Sequence, residues 1–464
     1  MSQKMLQEIK EGFVSTVTDK VFLGKTIKIA APVAFQGLLN TSINMLDTLI
    51  IGSLGEETIA AVGLANKVFF VYILLVFGIC SGSGILAAQF WGSQDIANIK
   101  KVLGVAISFS VVASVFFLVP SLFVPHLVMR VFTTSQATIG IGAKYLQVVC
   151  LTYPFAALTS VYVSILRATG RVKWPVGITM VALVVDTFLT YVLVFGVMGF
   201  PELNVMGAAY GTLASRALEC LLIIAYTYFT KTEIAAKLTE MFSFTRAFVG
   251  RFLKTAFPVI LNEFIWGLGV TMYSLVYGRM GAAAVAVITI AAVIQDLLQV
   301  AFQGIANACA VVLGHELGAN HLKVAKKYAS GYIWLQFLVS IVMGTLCFAL
   351  RWKFISIFNI TEAVANDISK CLILTSVMMP IKTFNWLMVV GVLRSGGDTK
   401  YCMFLDTAGV WLIAIPLAVI TGLIFKLPIY WVLLFITVEE FFKLILGFRR
   451  YKKNIWLKNL TALY

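Results

Sequence analysis

Val102–Val124 has the sequence VLGVAISFSVVASVFFLVPSLFV, an unbroken run without a charged side chain. A run of about 20 apolar residues is long enough to cross the hydrocarbon core of a bilayer as an α-helix. A strand of a membrane β-barrel would alternate apolar and polar residues over about ten positions, and this stretch does not alternate. The segment therefore predicts a membrane-spanning helix.

The composition extends this prediction to the whole chain. Of the 464 residues, 60% are hydrophobic and 12% are charged, whereas soluble domains have roughly 45–50% apolar and about 25% charged residues. So few charges cannot cover the surface of a soluble fold of this size. We expect an all-α polytopic membrane protein of about twelve spans, near residues 26–51, 59–89, 102–125, 141–166, 174–199, 205–230, 252–277, 282–313, 328–350, 368–393, 402–425 and 429–448.

The distribution of basic residues predicts the orientation of the chain. Of the 36 lysines and arginines, 24 lie in the two ends and in every second connection, including the segment 231–254, and seven lie in the alternate connections. Cytoplasmic loops carry the excess of Lys and Arg. Both termini are thus predicted to be cytoplasmic, in a plasma or inner membrane. This topology explains the net charge of +15 without a nucleic-acid partner.

The second half of the chain repeats landmarks of the first half at an offset of 226 or 227 residues. The matching positions are Pro32 with Pro258, Gly52-x-x-Gly55 with Gly278-x-x-Gly281, Pro154 with Pro380, and Leu166–Gly170 with Leu393–Gly397. They predict two six-helix bundles, residues 26–230 and 252–448, related by a pseudo-twofold axis along the membrane normal. A cytoplasmic segment (1–25), a linker (231–251) and a basic tail (449–464) complete the predicted domains.

These motifs resemble those of the multidrug and toxic compound extrusion (MATE) family over essentially the whole chain. The resemblance is carried by Asn44–Gly55 (NMLDTLIIGSLG), Leu166–Gly170 (LRATG), Leu393–Thr399 (LRSGGDT) and Gly207-Ala208-Ala209 ahead of Thr212. It implies a V-shaped pair of bundles. It also implies export of amphipathic, often cationic compounds driven by inward flow of Na⁺ or H⁺, with Asp47 at the coupling-ion position of the first half.

Acidic residues inside spans are the candidates for ion coupling, because a charge at the bilayer centre costs about 2.5–3.5 kcal/mol on insertion scales and usually faces a wet cavity. In the first predicted span, Gln36 and Asn40 precede Asp47 by 11 and 7 residues, which places the three on one helical face. The alternative is a structural Asp47 bonded to neighbouring backbone.

Asp186 lies in the fifth predicted span, one turn before Thr190. If Asp47 and Asp186 share a cavity, they either chelate Na⁺ together with Thr190 and Thr212, or share one proton because two like charges do not ionise together easily. A simple interior polar residue is the alternative for Asp186. Arg216 and Glu219, three residues apart, are expected to pair locally.

The second half offers a candidate substrate pathway. Glu263 follows the helix-kinking Pro258, and we expect it to pair with Lys382, so that neither charge is buried alone. Trp266, inside the same predicted span, either stacks on an aromatic or cationic compound or packs between helices. The remaining predicted pathway residues are polar side chains inside spans: Asn262, Asp296, Gln299 and Asn385.

Taken together, the sequence favours a secondary active exporter of small amphipathic, cationic compounds, working by Na⁺ or H⁺ antiport with alternating access as two bundles rock. We expect a monomer in membrane lipid that uses no cofactor besides the coupling ion. No GxxxxGK[ST] motif or catalytic constellation points to an enzyme. A flippase of lipid-linked saccharides and an ion channel are the alternatives.

Overall fold

The computed structural model describes Val14, residues 18–358 and residues 360–463, and most of these residues are helical. Of the predicted N-terminal segment, residues 1–13 and 15–17 lie outside the described residues. The helices are α1 Lys20–Gly52, α2 Glu56–Gly92, α3 Ile96–Phe123, α4 Pro125–Arg130, α5 Gln136–Val149, α6 Thr152–Ala168, α7 Lys173–Phe195, α8 Val205–Phe229, α9 Leu238–Met241, α10 Arg246–Met280, α11 Ala282–Gly318, α12 Leu322–Ile355, α13 Glu362–Trp386, α14 Thr399–Ala408, α15 Ile415–Val419, α16 Ile429–Ile436 and α17 Val438–Lys452. Three π-helical segments, Leu387–Leu393, Gly409–Ala414 and Ile420–Ile424, and two short 3₁₀ segments, Arg394–Gly396 and Thr461–Leu463, complete the helical structure.

The described chain contains ten helical rods that are long and apolar enough to cross a membrane, and eleven if α5 and α6, bent by 48°, count as one span. The rods that begin with α13 and α14 continue through their π-helical segments as far as Gly396 and Ile424. The twelfth predicted span corresponds to α16 and α17, which meet at Thr437. Glu439, Glu440 and Lys443 make α17 much more polar than the other spans. The prediction of an all-α, multi-span membrane protein is confirmed.

The predicted duplication is visible in the backbone. Left-handed conformations with positive φ recur at the repeat offset, in the same order: Gly55 with Gly281, Gln94 with Asn320, and Gly170 with Gly397. Positive φ is unfavourable for most residues with a Cβ, so three matched positions indicate a backbone path that was duplicated together with its turns.

The helices pack into two units. The N-terminal unit contains Phe35–Trp91 and Asp95–Ile260, and the C-terminal unit contains the described residues up to Ala34, Gly92–Gln94 and the chain from Leu261 onward. The divisions fall inside α1 and α10, two residues after Pro32 and Pro258. Proline removes a helical hydrogen bond and kinks the rod. The boundaries between the two packed units thus fall beside two prolines that match in the repeat. The predicted domains 26–230 and 252–448 follow the order of the chain instead, and they remain a prediction.

Polar groups inside the N-terminal unit are bonded across helices. The Tyr72 hydroxyl donates to the backbone oxygen of Tyr153 at 2.6 Å and is hydrogen-bonded to Ser114 at 3.0 Å. The two tyrosine rings stack with their centroids 4.7 Å apart. These contacts tie α2, α3 and α6 together, because an unbonded polar group in a low-dielectric interior is costly.

In the C-terminal unit, the end of α17 and the tail after it fold back onto the loop that follows the predicted tenth span. The Arg450 guanidinium donates two hydrogen bonds to Asp398, at 2.6 and 2.9 Å. Trp456 is fully buried, and its carbonyl oxygen lies where a Cβ on Gly396 would be. The missing side chain of Gly396 thus permits the tail to dock.

A similar return occurs in the N-terminal unit, where Arg171 donates two hydrogen bonds of 2.7 Å to Glu233 in the linker after α8. The Arg171 side chain lowers the pKa of Glu233 by hydrogen bonding to its charged form,. Both side chains are partly exposed, so the pair contributes modestly to stability.

We predict that Gly396→Ala destabilises the C-terminal unit by about 1–3 kcal/mol, the usual cost of overpacking, because the new methyl group displaces the Trp456 carbonyl. The measurement is thermal unfolding of the purified protein, followed by its tryptophan emission. Gly177→Ala is the matched control, since a Cβ at that helical position meets no atom within 4 Å. Equal melting temperatures for the two variants would contradict the docking argument.

We also predict that Glu233→Gln lowers stability at neutral pH by up to about 1 kcal/mol. Because the native pKa of Glu233 is depressed, its contribution is complete above the ordinary value of 4.5 and is lost as pH falls through the native value,. The difference between wild type and variant should therefore shrink in acid. Unfolding curves at pH 7 and pH 3 measure this, and Glu202→Gln, an exposed acid, is the control. A difference that persists unchanged at pH 3 would refute the electrostatic explanation.

Candidate functional site

The candidate site in the N-terminal unit depends on close packing of α7 against α8. Gly207 and Gly211, four residues apart on α8, face Leu193 and Thr190 of α7, and a Cβ at either glycine would overlap these neighbours. Small residues at this spacing let membrane helices approach closely. As a result Thr190 lies against Gly211, and Asp186, one turn earlier, comes beside the next turn of α8.

Asp186 is 7% exposed. Its carboxylate lies within reach of the Thr212 and Ser215 hydroxyls and within electrostatic range of Arg216. Its Oδ1 atom has no hydrogen-bond partner among the described residues. A buried carboxylate oxygen left without a donor is costly, so this atom is suited to receive a cation or a proton.

Asp47 of α1 is within electrostatic range of Asp186 and Arg216. Its Oδ1 atom is also buried without a hydrogen-bond partner in the described part of the chain. The sequence left open whether Asp47 and Asp186 share a cavity, and the structure places the two carboxyl groups within electrostatic range of each other. Two neighbouring acids in a low-dielectric environment repel each other, and bound positive charge relieves that repulsion.

Two further features complete this site. Arg216 pairs with Glu219, Nη1 to Oε2 at 3.0 Å, as the local spacing predicted. Tyr145 of α5, 4% exposed, lies within electrostatic range of both aspartates. No sequence signal pointed to Tyr145, because one tyrosine in an apolar run has no distinctive spacing. With three acids and one base, the site has a formal charge of −2.

The other predicted coupling residues lie nearby in the chain. Gln36 and Asn40 are partly buried on α1, about three and two turns before Asp47. Thr190 is 2% exposed and packs against Gly211 of α8, the residue before Thr212. A role for these residues in ion coupling remains a prediction. Among the described residues, no group of three or more His, Cys, Asp or Glu side chains is arranged to hold a metal ion.

The predicted pairing of Glu263 with Lys382 is wrong. Glu263 pairs with Arg394, Oε1 to Nη1 at 2.8 Å, and the Arg394 side chain is 2% exposed. The sequence placed Arg394 in a loop. The π-helical segment Leu387–Leu393 and the 3₁₀ turn Arg394–Gly396 instead continue the rod of α13, and this keeps the guanidinium inside the unit.

Lys382 lies instead beside a cavity that is also lined by Glu439 and Glu440 of α17. Two other predicted pathway residues donate hydrogen bonds from their side-chain amides: Asn385 to Glu440 at 2.7 Å, and Asn262 to Asp406 at 3.0 Å. Four charged residues of this region, Asp406, Glu439, Glu440 and Lys443, were not singled out by the sequence analysis. The four-residue spacing of Glu439 and Lys443 was the available signal.

The remaining predicted pathway residues lie on the surface of the C-terminal unit. Trp266 is 38% exposed, and the Asp296 and Gln299 side chains of α11 are also exposed. Gln295, on the same helix, turns inward and donates to Thr375 at 3.0 Å. Polar residues of α11 thus lie both partly buried, at Gln295, and exposed, at Asp296 and Gln299, and contact of the predicted residues with substrate remains a prediction.

Comparison with known proteins agrees with the fold and the repeat. The MatE family model matches residues 32–192 and again residues 258–420. The chain is 24% identical over 404 residues to "Probable multidrug resistance protein YoeA" of Bacillus subtilis, covering 86% of each protein. It is also 24% identical over 416 residues to "Probable multidrug resistance protein NorM" of Thermotoga maritima, again covering 86% of each.

Solved structures show the same architecture. A structure described as "Outward-facing conformation of a multidrug resistance MATE family transporter of the MOP superfamily" aligns with a TM-score of 0.82 at 21% identity, covering 95% of this chain and 96% of that chain. At this identity the similarity establishes the fold alone. The two consecutive matches to the family model cover more than half of the residues, and they show that this chain belongs to the MATE family of multi-span membrane transporters.

Proposed function

We propose that this protein is a secondary active exporter of small amphipathic, cationic compounds, coupled to inward movement of Na⁺ or H⁺, and that it is not an enzyme. The observation that carries the proposal is the pair of neighbouring acids, Asp47 and Asp186, each with a buried carboxylate oxygen that lacks a hydrogen-bond partner in the described chain. Acids inside membrane spans are costly and mark ion or proton routes.

The charge of the site supports an exchange mechanism. Asp47, Asp186 and Glu219 carry three negative charges, and Arg216 is the one base counted with them. Arg216 stays positively charged because a guanidinium does not lose its proton in proteins. The site is therefore most stable when a cation or a proton offsets the excess negative charge. Occupancy that changes with the side from which the site is reached would couple ion flow to export by alternating access.

The family and the printed names of relatives support the choice of cargo. YoeA and NorM are both described as probable multidrug resistance proteins, and this chain is proposed to share that role. We further propose a location in the cytoplasmic membrane with both termini in the cytoplasm, from the distribution of Lys and Arg, and a monomeric unit of transport.

We predict that replacing both acids, Asp47→Asn with Asp186→Asn, abolishes active efflux of a cationic dye from a pump-deficient host. Asparagine keeps the size of the side chain but cannot carry the charge that attracts an ion or proton. Glu57→Gln, an exposed acid at the start of α2, should export like wild type when membrane levels are equal. Efflux by the double variant at the wild-type rate would refute the assignment of coupling to these acids.

We also predict that inverted vesicles take up the dye under only one of two separately imposed gradients, Na⁺ or H⁺, and that this dependence disappears in the double variant. The responding gradient identifies the ion. Uptake that ignores both gradients would contradict antiport. Flipping of a labelled lipid-linked saccharide by reconstituted protein that transports no dye would favour the flippase instead.

A further inference from the structure

The end of α17 and the tail after it form a folded and strongly basic segment of the C-terminal unit. Its basic residues are Arg449, Arg450, Lys452, Lys453 and Lys458. The last turn of α17 contains three of them, whereas the last turn of α8, the final helix of the first copy, contains none. Basic residues anywhere within about 15–20 residues of a span influence its orientation. Topology alone therefore does not explain why these charges are concentrated at one helix end.

The tail is held in place by contacts with the rest of the unit. Chain ends are usually poorly ordered unless such contacts fix them. The Trp456 side chain is fully buried and stacks on Tyr451, with ring centroids 5.8 Å apart. The Asn459 amide donates a hydrogen bond to the carbonyl oxygen of Gly318 at 3.2 Å. The basic side chains thus project from a folded surface rather than from a loose end.

The fold uses one of these bases and leaves others available. The Arg450 guanidinium is engaged by Asp398 through two hydrogen bonds. Arg449, Lys452 and Lys453 are exposed, and within the described chain none of the three forms an ion pair with a carboxylate. Three positive charges at the end of α17 are therefore free to interact with an external partner.

The three exposed bases lie close together. Spacings of three and four residues place Lys452 and Lys453 beside Arg449 on the helix surface. Like charges at these spacings destabilise a helix. The negative end of the helix dipole is equivalent to only about half an elementary charge, which is too little to offset three bases. A bound anion would relieve the repulsion that remains.

The position of this basic surface corresponds to the lipid headgroups. The predicted twelfth span ends at residue 448, and a helix rises 1.5 Å per residue, so Arg449–Lys453 extend about 6–8 Å beyond the apolar stretch. The headgroup layer adds roughly 5–8 Å on each side of the hydrocarbon core. Tyr451 and Trp456 lie in the same segment, and both residue types are enriched at membrane interfaces. Lipid phosphates can therefore reach the three bases.

We propose that Arg449, Lys452 and Lys453 form a binding surface for the headgroup of an anionic phospholipid, such as phosphatidylglycerol, in the leaflet at the tail. Basic residues next to a span attract anionic lipids, and their N–H groups donate charge-assisted hydrogen bonds to phosphate oxygens. Because the tail is folded, the three charges converge on one site. This inference goes beyond the proposed function, since it involves neither Asp47 nor Asp186 and its test measures no transport.

The test is native mass spectrometry of the purified full-length protein in detergent. The protein is titrated with dimyristoyl-phosphatidylglycerol and, separately, with dimyristoyl-phosphatidylcholine, which has the same acyl chains, so that a difference in binding reports the headgroup alone. The tail variant combines Arg449→Gln, Lys452→Gln and Lys453→Gln. It retains Arg450 and therefore the two hydrogen bonds to Asp398 that dock the end of α17.

A matched control removes the same amount of charge elsewhere. It combines Lys173→Gln, Lys254→Gln and Lys323→Gln, three exposed lysines on the separate helices α7, α10 and α12. Like the tail bases, none of them forms an ion pair within the described chain. The control differs from the tail variant only in that its charges are dispersed. Loss of preference in the tail variant alone therefore identifies the site.

We expect the wild type to bind phosphatidylglycerol about tenfold more tightly than phosphatidylcholine, or better. The tail variant should lose most of this preference, while the control should keep it. Raising the ammonium acetate concentration should weaken binding of phosphatidylglycerol to the wild type more than binding of phosphatidylcholine, because salt screens exposed charges. This last arm needs no substitution that could disturb folding.

Three results would overturn the proposal. The first is equal binding of the two lipids by the wild type. The second is a tail variant that keeps the wild-type preference, or a control that loses it equally. The third is displacement of phosphatidylglycerol by an equal concentration of inorganic phosphate, which would identify a site for the free anion instead of a lipid.

Discussion

Charge buried inside membrane-spanning helices is the constraint on which the rest of this structure depends. Lipid provides neither hydrogen bonds nor counter-ions, so each acid inside a unit must be offset by a base, a donor or something that is bound. Glu263 is fully matched by Arg394 at 2.8 Å. Asp47 and Asp186 are not matched, and each retains a buried oxygen without a donor in the described chain. The difference separates a pair that stabilises the fold from acids that are available for function.

The duplication preserved the backbone but not this chemistry. Positive φ values recur at the repeat offset, as at Gly170 and Gly397, whereas the positions that correspond to Asp47 and Asp186 are Tyr273 and Ile413. Conversely, Gly37 corresponds to Glu263. Turn conformations are set by local sterics and persist in both copies. Buried acids are costly, so each half retains only the ones that its own packing or function requires.

Most of the fold could be predicted from the sequence, because length, hydropathy and glycine spacing act locally. The pairing of Arg216 with Glu219 could be predicted for the same reason, since three residues along a helix fix their separation. The partner of Glu263 could not. Whether Arg394 or Lys382 reaches it depends on how α10 crosses the rod of α13 and on the π-helical segment that carries Arg394 inward. The hydropathy pattern predicts neither the crossing of these helices nor the π-helical segment.

The two charged clusters differ in whether every base has an ion-pair partner in the described chain. Arg216 in the N-terminal unit is ion-paired with Glu219 at 3.0 Å, so the base near Asp47 and Asp186 is shared with a third acid. Lys382 in the C-terminal unit has no such partner among the described residues and shares its cavity with two glutamates. Because Arg216 is already paired with Glu219, Asp47 and Asp186 retain an excess of negative charge that a bound cation or proton would offset. In the C-terminal unit, Lys443 is likewise held between Glu439 and Asp406, whereas Lys382 lies beside Glu439 and Glu440 without an ion pair in the described chain.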